Sequence, residues 1–168
     1  MIMEISIQNS LISVSLLLTG LSAGLFFGWS VSVIPGTQKI DDLSYLNTMQ
    51  SINQEILNPS FFIVFFGSLI ALMLSTYFVY PISITGFSVL LIATLIYLIG
   101  TLGVTGMGNV PLNNELEALK IAELMSTEIS DFRDYYESQW NRFHSYRMFF
   151  SVLSFIMTLL ALHIQYKN

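Results

Sequence analysis

The chain has 168 residues, of which 54% are hydrophobic and only 10% charged, and its mean hydropathy is +0.67. A soluble domain of this length carries more charge on its surface, so the composition points to lipid. A net charge of −5 with six Lys and Arg in all excludes the clustered cations that nucleic acid demands, and the lack of cysteine excludes disulfides, thiolate nucleophiles and Cys-ligated metals.

Four apolar stretches without Asp, Glu, Lys or Arg are each near the roughly 20 residues that cross a hydrocarbon core: 11–34, 61–80, 82–105 and 148–164. In lipid each backbone N–H and C=O must be satisfied within its own segment, so these stretches are read as helices. The expected fold is all-α, a four-helix transmembrane bundle forming a single membrane domain over 1–168, with short extramembrane helices in the two connecting segments on one side.

The first stretch lacks a basic leader and runs too long before a small-residue cleavage site, so it is kept as a span and not read as a signal peptide. Gly20, Gly24 and Gly28 recur at every fourth position along it, a spacing that lets a neighbouring helix approach closely. A tight contact inside the bundle is the first reading of this stripe, and an interface in a homo-oligomer is the second. In the following segment Leu43, Leu46, Met49 or Gln50, Ile52 and Ile56 recur at helical spacing, predicting an amphipathic helix across the bundle mouth.

Between the second and third spans stands only Tyr80-Pro81-Ile82-Ser83, and Pro81 cannot continue the preceding hydrogen-bond ladder, so the two spans form an antiparallel hairpin. With four spans, segments 35–60 and 106–147 then face each other at one end. Lys39, Lys120, Arg133, Arg142 and Arg147 lie on that side against Lys167 on the other, which points the large segments toward the cytoplasm.

After the third span, Gly106 and Gly108 are expected to end the helix, and Pro111 between Asn109 and Asn113 to impose a rigid turn rich in amide donors and acceptors. Asn113 or Asn114 is expected to cap a helix reaching about Leu124. A further helix is expected from near Ser130, running unbroken into the last span. On that helix Arg133, Glu137, Trp140, Asn141, His144 and Arg147 share a face about 120° wide, while Tyr135, Gln139, Arg142 and Tyr146 point the other way. Taken singly, these residues read as an i,i+4 ion pair and interfacial anchors. Taken together, with an imidazole between two cations, they read as the wall of a polar pocket. Gln50 and Asn53 are expected at the same mouth, with Trp29 beneath.

Four elements, Phe27-Gly28-Trp29, Met49-Gln50-x-Ile52-Asn53, Asn109-Val110-Pro111-Leu112-Asn113 and Trp140-x-Arg142-Phe143-His144-x-x-Arg147, resemble the anthrone oxygenase-like integral membrane family over nearly the whole chain. The Asn-Val-Pro-Leu-Asn element is the most specific of them. The resemblance implies oxidation of a flat aromatic or polyketide-like substrate by O₂ without flavin, metal or other cofactor, and a place in a bacterial inner (plasma) membrane. Many relatives carry Asn where this chain has His144, so the family pattern assigns that histidine no role.

In that chemistry the protein supplies a base and holds an oxyanion. A neutral imidazole suits the first task, which makes His144 the candidate base, with Glu137 as runner-up or orienter. Arg147 with Asn109 or Asn113 would hold the oxyanion, and Trp29 and Trp140 would flank a flat ring. Gln50, Asn53 and Asn141 complete the expected binding set. The competing reading is a non-catalytic small-molecule-binding or structural membrane protein. A transporter is disfavoured because the first three spans hold no ionisable residue. His144 and His163 lie too far apart on one helix to share a metal.

Overall fold

A computed structural model describes residues 6–167, with side chains described through 165. No strand occurs among the described residues, and four helices are long and apolar enough to cross a membrane. We label them in chain order with the short helix between the first two: α1 (Ile7–Thr37), α2 (Asp42–Glu55), α3 (Pro59–Val79), α4 (Ile84–Ala118) and α5 (Ser126–Lys167). The chain is therefore an integral membrane protein with a four-helix bundle. At about 1.5 Å per residue, the 21 residues of α3 extend over about 31 Å, the thickness of a hydrocarbon core.

The ends of these helices follow from local chemistry. The side chains of Ser6, Asp41, Asn58 and Ser83 accept the third N–H beyond them, from Asn9, Ser44, Phe61 and Gly86, and so cap α1 to α4. The hairpin between α3 and α4 is as tight as Pro81 demands. The unbroken run of α5 into the last span is also as expected, although it begins four residues earlier, at Ser126.

Two expectations fail at prolines. Helix α1 does not stop at Ile34, and α4 does not stop at Gly106. Each passes through its proline by widening into a π turn immediately before it, at Trp29–Val33 ahead of Pro35 and at Thr105–Asn109 ahead of Pro111. The Ile34 N–H reaches back five residues to the Trp29 carbonyl, and the Val110 N–H does the same to Thr105. This shift moves the carbonyl that the proline ring would strike, and it absorbs the missing N–H. A second π turn, Tyr97–Gly103, widens α4 further down. Of the helix expected from Asn113 or Asn114 to about Leu124, the first part is helical as the end of α4, which stops at Ala118 and is capped by neither asparagine, and a 3₁₀ turn, Ile121–Glu123, follows.

Within the bundle α1 packs on α3 and α5, and α4 packs on the same two helices. Water release between apolar surfaces does not drive helix association in lipid, so close packing and hydroxyl pairs hold the spans together. Ser15 meets Ser75 at 2.9 Å, Thr76 meets Thr94 at 3.1 Å, Thr101 meets Ser151 at 3.0 Å, and Tyr97 Oη lies 2.9 Å from Ser22 Oγ. The glycine stripe of α1 makes less of this contact than expected. A Cβ on Gly20 would touch the Phe155 ring at 3.1 Å, but Gly24 and Gly28 have nothing within 4 Å. The close approaches are on α4, where Phe150 of α5 fills the space above Gly100 and Phe143 fills that above Gly108.

Outside the span, α2 lies across the mouth as expected, but its buried face is shifted from the predicted one, with Leu43 46% exposed and Tyr45 buried in its place. Its buried Tyr45, Leu46 and Met49 pack on Leu112, Leu116 and Ile121 and on Tyr136 and Trp140 of α5. Arg133 locks this cap in place. It donates to Asp42 at 2.9 Å, to Glu137 at 3.0 Å and to the Ile40 carbonyl at 2.7 Å, and lies over the Tyr45 ring. Arg133 and Arg147 are thus buried in protein, which leaves Lys39, Lys120 and Arg142 as the cations of the large segments available to lipid headgroups.

Candidate functional site

Where α2 caps the bundle, a cleft enclosing about 90 Å³ runs in between α1, α3, α4 and α5 and is open at one end. That is less than the roughly 300 Å³ at which small-molecule sites begin, so a ring-sized ligand fills it only by moving side chains or by extending through the mouth. Its polar groups are few: Arg147, Asn53, Asn113 and Thr105, set among Phe26, Trp29 and Trp140. The two π turns that precede prolines deliver residues to it, Trp29 from the one before Pro35 and Thr105 from the one before Pro111. Each adds a residue to its turn and so rotates the face that the helix presents here.

Arg147 stands at the inner end, 8% exposed. Its guanidinium carbon lies 4.7 Å from the centre of the Phe26 ring and 4.9 Å from that of Trp140. Phe26 in turn packs edge-on against Phe65, six residues inside the start of α3. The guanidinium therefore stands beside aromatic residues of the first two membrane-spanning helices. Its Nε and Nη2 approach Nδ1 of His144 at 3.2 and 3.1 Å.

A guanidinium has only donors, so Nδ1 of His144 must carry the lone pair. The proton is then on Nε2, which donates to the Phe26 carbonyl at 3.1 Å with Ser30 Oγ 3.0 Å away. His144 is a neutral imidazole held at both nitrogens. Its ring stacks on Trp140, with centroids 5.1 Å apart and planes 7° from parallel. It is fully buried and lies behind Arg147, outside the cleft lining.

A second group of partners sets the amides. Asn113 Oδ1 accepts from Trp140 Nε1 at 2.8 Å and from the Tyr136 hydroxyl at 3.2 Å. Asn53 Nδ2 donates to the same tyrosine oxygen at 3.2 Å. Asn109 donates to the Trp140 carbonyl at 3.1 Å, and its buried Oδ1 has no partner among the described residues.

Of the ten residues singled out from sequence, Arg147, Trp29, Trp140, Asn53 and Asn113 line one cleft. His144 and Asn109 support it from behind. Three stand elsewhere. Glu137 is two turns from His144 and bonded to Arg133, so it orients the clamp and not the imidazole. Gln50 caps the carbonyl end of α4, donating to Leu116 at 2.7 Å and Leu119 at 3.3 Å. Asn141 lies beside the stripe, outside the cleft lining. Tyr136, Ser30 and Thr105 were missed. Tyr136 stands four residues before Trp140 and eight before His144, so the same helical face would have included it. Ser30 and Thr105 carry no such signal, because the π turns that place them are invisible in the pattern.

Fold and cleft define a class: a helical membrane protein with a buried arginine and two tryptophans around a pocket at the bundle mouth. A family model for anthrone oxygenase matches residues 61–157, more than half of the chain. The chain belongs to the anthrone oxygenase family. The match covers the π turn before Pro111 and the stripe from Arg133 to Arg147, but not Trp29, Gln50 or Asn53, so it is shorter than the resemblance read from sequence. No curated protein and no solved structure matches the chain.

Proposed function

We propose that the cleft oxidises a flat aromatic, polyketide-like substrate with O₂, without flavin or metal, in a bacterial inner membrane. The observation that carries this reading is the Arg147 guanidinium on the cleft wall, bonded to the free lone pair of a neutral His144.

For an anthrone the whole reaction converts a ring CH₂ and O₂ into a ketone and water. Trp29 and Trp140 stand in contact, with centroids 5.7 Å apart, so they do not flank a ring as expected; the substrate packs along one side of the pair with its oxygen toward Arg147 and Asn113. Arg147 moves from Nδ1 onto that oxygen, and the lone pair it leaves takes a proton from the CH₂. His144 stays aligned because Nε2 remains tied to the Phe26 carbonyl, the orienting role that a third group plays for any positioned base. The enolate gives one electron to O₂, and the radical pair joins to form a C–O bond. The peroxide takes a proton back from His144. Loss of the second C–H proton with cleavage of the O–O bond leaves the ketone and water.

Charge accumulates on the substrate oxygen when the first proton leaves, and a fixed cation in a water-poor cleft stabilises it more than bulk water does. The test is O₂ uptake and quinone formation from an anthrone by protein in lipid vesicles, corrected for protein-free vesicles. His144→Gln should lower the rate by roughly 10²-fold or more, the usual contribution of a general base, and Arg147→Met should do likewise. Wild-type rates in both variants would remove these roles. The second reading, a non-catalytic binding protein, is favoured by the burial of His144 behind Arg147, and it predicts saturable binding with no O₂ uptake.

A further inference from the structure

Arg147 is a cation without an anion. Among the described residues the ion pairs are Lys120 with Glu123 and Arg133 with Asp42 and Glu137, so no carboxylate stands against it. Its neighbours are a neutral imidazole and two aromatic faces. Ring faces offset part of the cost of burying a guanidinium, but they leave its charge in place. An arginine this buried is ordinarily matched by a partner or a ligand.

The opposite end of the cleft is apolar and open. Its lining there is Leu57, 65% exposed, Val110, 42%, and Leu25, 39%, with Ile56 and Phe61 between them. Leu25 belongs to α1 and Phe61 to the first turn of α3, so this opening lies between two membrane-spanning helices, at the start of the second. Above it α2 closes the roof with Ile52 and Asn53. The cleft is thus graded from an apolar mouth on the lipid side to one uncompensated positive charge within.

We infer that the cleft binds amphiphilic organic anions drawn from the bilayer, with the apolar body in the Leu25–Leu57–Val110 mouth and an ionised oxygen group on Arg147. The inference rests on the cleft being the ligand site, as in the function proposed above, but it requires no oxygen chemistry. It narrows the substrate to molecules already ionised, or with an acidic hydroxyl, that partition into lipid. A phenolate or carboxylate head satisfies the guanidinium by charge-assisted hydrogen bonds, and a neutral alcohol of the same shape does so only weakly.

The chain's two tryptophans, Trp29 and Trp140, both line the cleft, so their fluorescence reports occupancy without a label. The probe is 9-anthracenecarboxylate, whose absorption overlaps tryptophan emission. Its neutral counterpart is 9-anthracenemethanol. Full-length protein in phosphatidylcholine vesicles is titrated with each, with concentrations referred to the lipid phase. Saturable quenching by the acid at a concentration at least roughly ten-fold below that for the alcohol is expected, as for a charge-assisted bond lost. Arg147→Gln should erase that preference and Arg147→Lys should retain part of it.

Equal affinity for acid and alcohol in the unaltered protein overturns the inference, whether or not the variants fold. Anthracene-1,5-disulfonate, which is confined to water, should give no saturable quenching; binding as tight as the monoacid overturns the lipid route. Acid preference in a protein that consumes no O₂ with an anthrone supports this inference and removes the oxygenase. Turnover without acid preference does the reverse.

Discussion

Gly108 is the point at which the cleft is most exposed to a small change in packing. A Cβ built there would lie 2.5 Å from Cδ1 and Cγ of Phe143 and 2.9 Å from Cδ2. Ordinary contact begins near 3.4 Å, so Gly108→Ala forces the ring or its helix back by about 0.9 Å in a packed interior, where overpacking costs about 1–3 kcal/mol. Phe143 precedes His144 on α5 and packs on the cluster around Trp140, which restricts its freedom to swing away. We expect a loss of about 2 kcal/mol, read as a fall in the thermal unfolding midpoint of roughly 4–8 °C for a chain of this length. Circular dichroism of the detergent-solubilised protein measures it.

The neighbouring residue, Asn109, holds the Trp140 carbonyl, so ligand binding should weaken as well. Phe143→Leu placed in the same chain should return at least half of the lost midpoint. Gly24→Ala and Gly28→Ala, where a Cβ meets open space, should be neutral or stabilising by up to about 1 kcal/mol, the helix penalty of glycine. An unaltered midpoint in Gly108→Ala, or no recovery in the double variant, refutes the packing argument.

Removing the clamp should free the roof. Arg133→Met leaves Glu137, whose side chain is 16% exposed, without its partner. We expect about 2 kcal/mol, below the 3–5 of a fully buried pair because Asp42 is 42% exposed and partly screened. Amide exchange in α2 should quicken while that of α3 stays unchanged. At the start of α2, the Ser44 N–H bonded to the carboxylate holds Asp41 below its usual 3.8. A lowered acid stabilises the folded state above the unfolded value and loses that stabilisation as pH falls through the folded one. Exchange protection at the first turn of α2 should therefore hold from neutrality to near pH 4 and decline below it. Asp41→Asn, which caps without titrating, should remove that decline.

The helices of this protein were legible because a bilayer leaves few options for the backbone. The stretches 11–34, 61–80, 82–105 and 148–164 each lie within one observed helix or reach just past its end, and the amphipathic repeat from Leu43 to Ile56 marks α2, which ends one residue short of Ile56 and leaves Leu43 exposed. The candidate face from Arg133 to Arg147 was legible for the same reason, since helical periodicity alone puts its residues together. Side-chain partners beyond one helix were not. Gln50 has the right chemistry for a pocket, but the unpaired carbonyls at the end of α4 claim it. Glu137 is taken by Arg133, which is itself drawn toward Asp42 from another element.

Pro35 and Pro111 mark the division most plainly. From sequence alone each reads as a helix end, because proline lacks an N–H and strikes the carbonyl a turn before it. Whether the chain breaks there or widens depends on what packs outside, and here Phe143 against Gly108 and the indole of Trp140 beside Trp29 hold both helices on course. Composition and periodicity decided that this protein is four helices in lipid with a polar face at one end. Tertiary packing decided that two π turns meet at that end, that Arg147 faces the cleft with His144 behind it, and that the arginine has no acid beside it among the described residues. Those outcomes depend on contacts between residues about 30 to 120 positions apart, which no local pattern encodes.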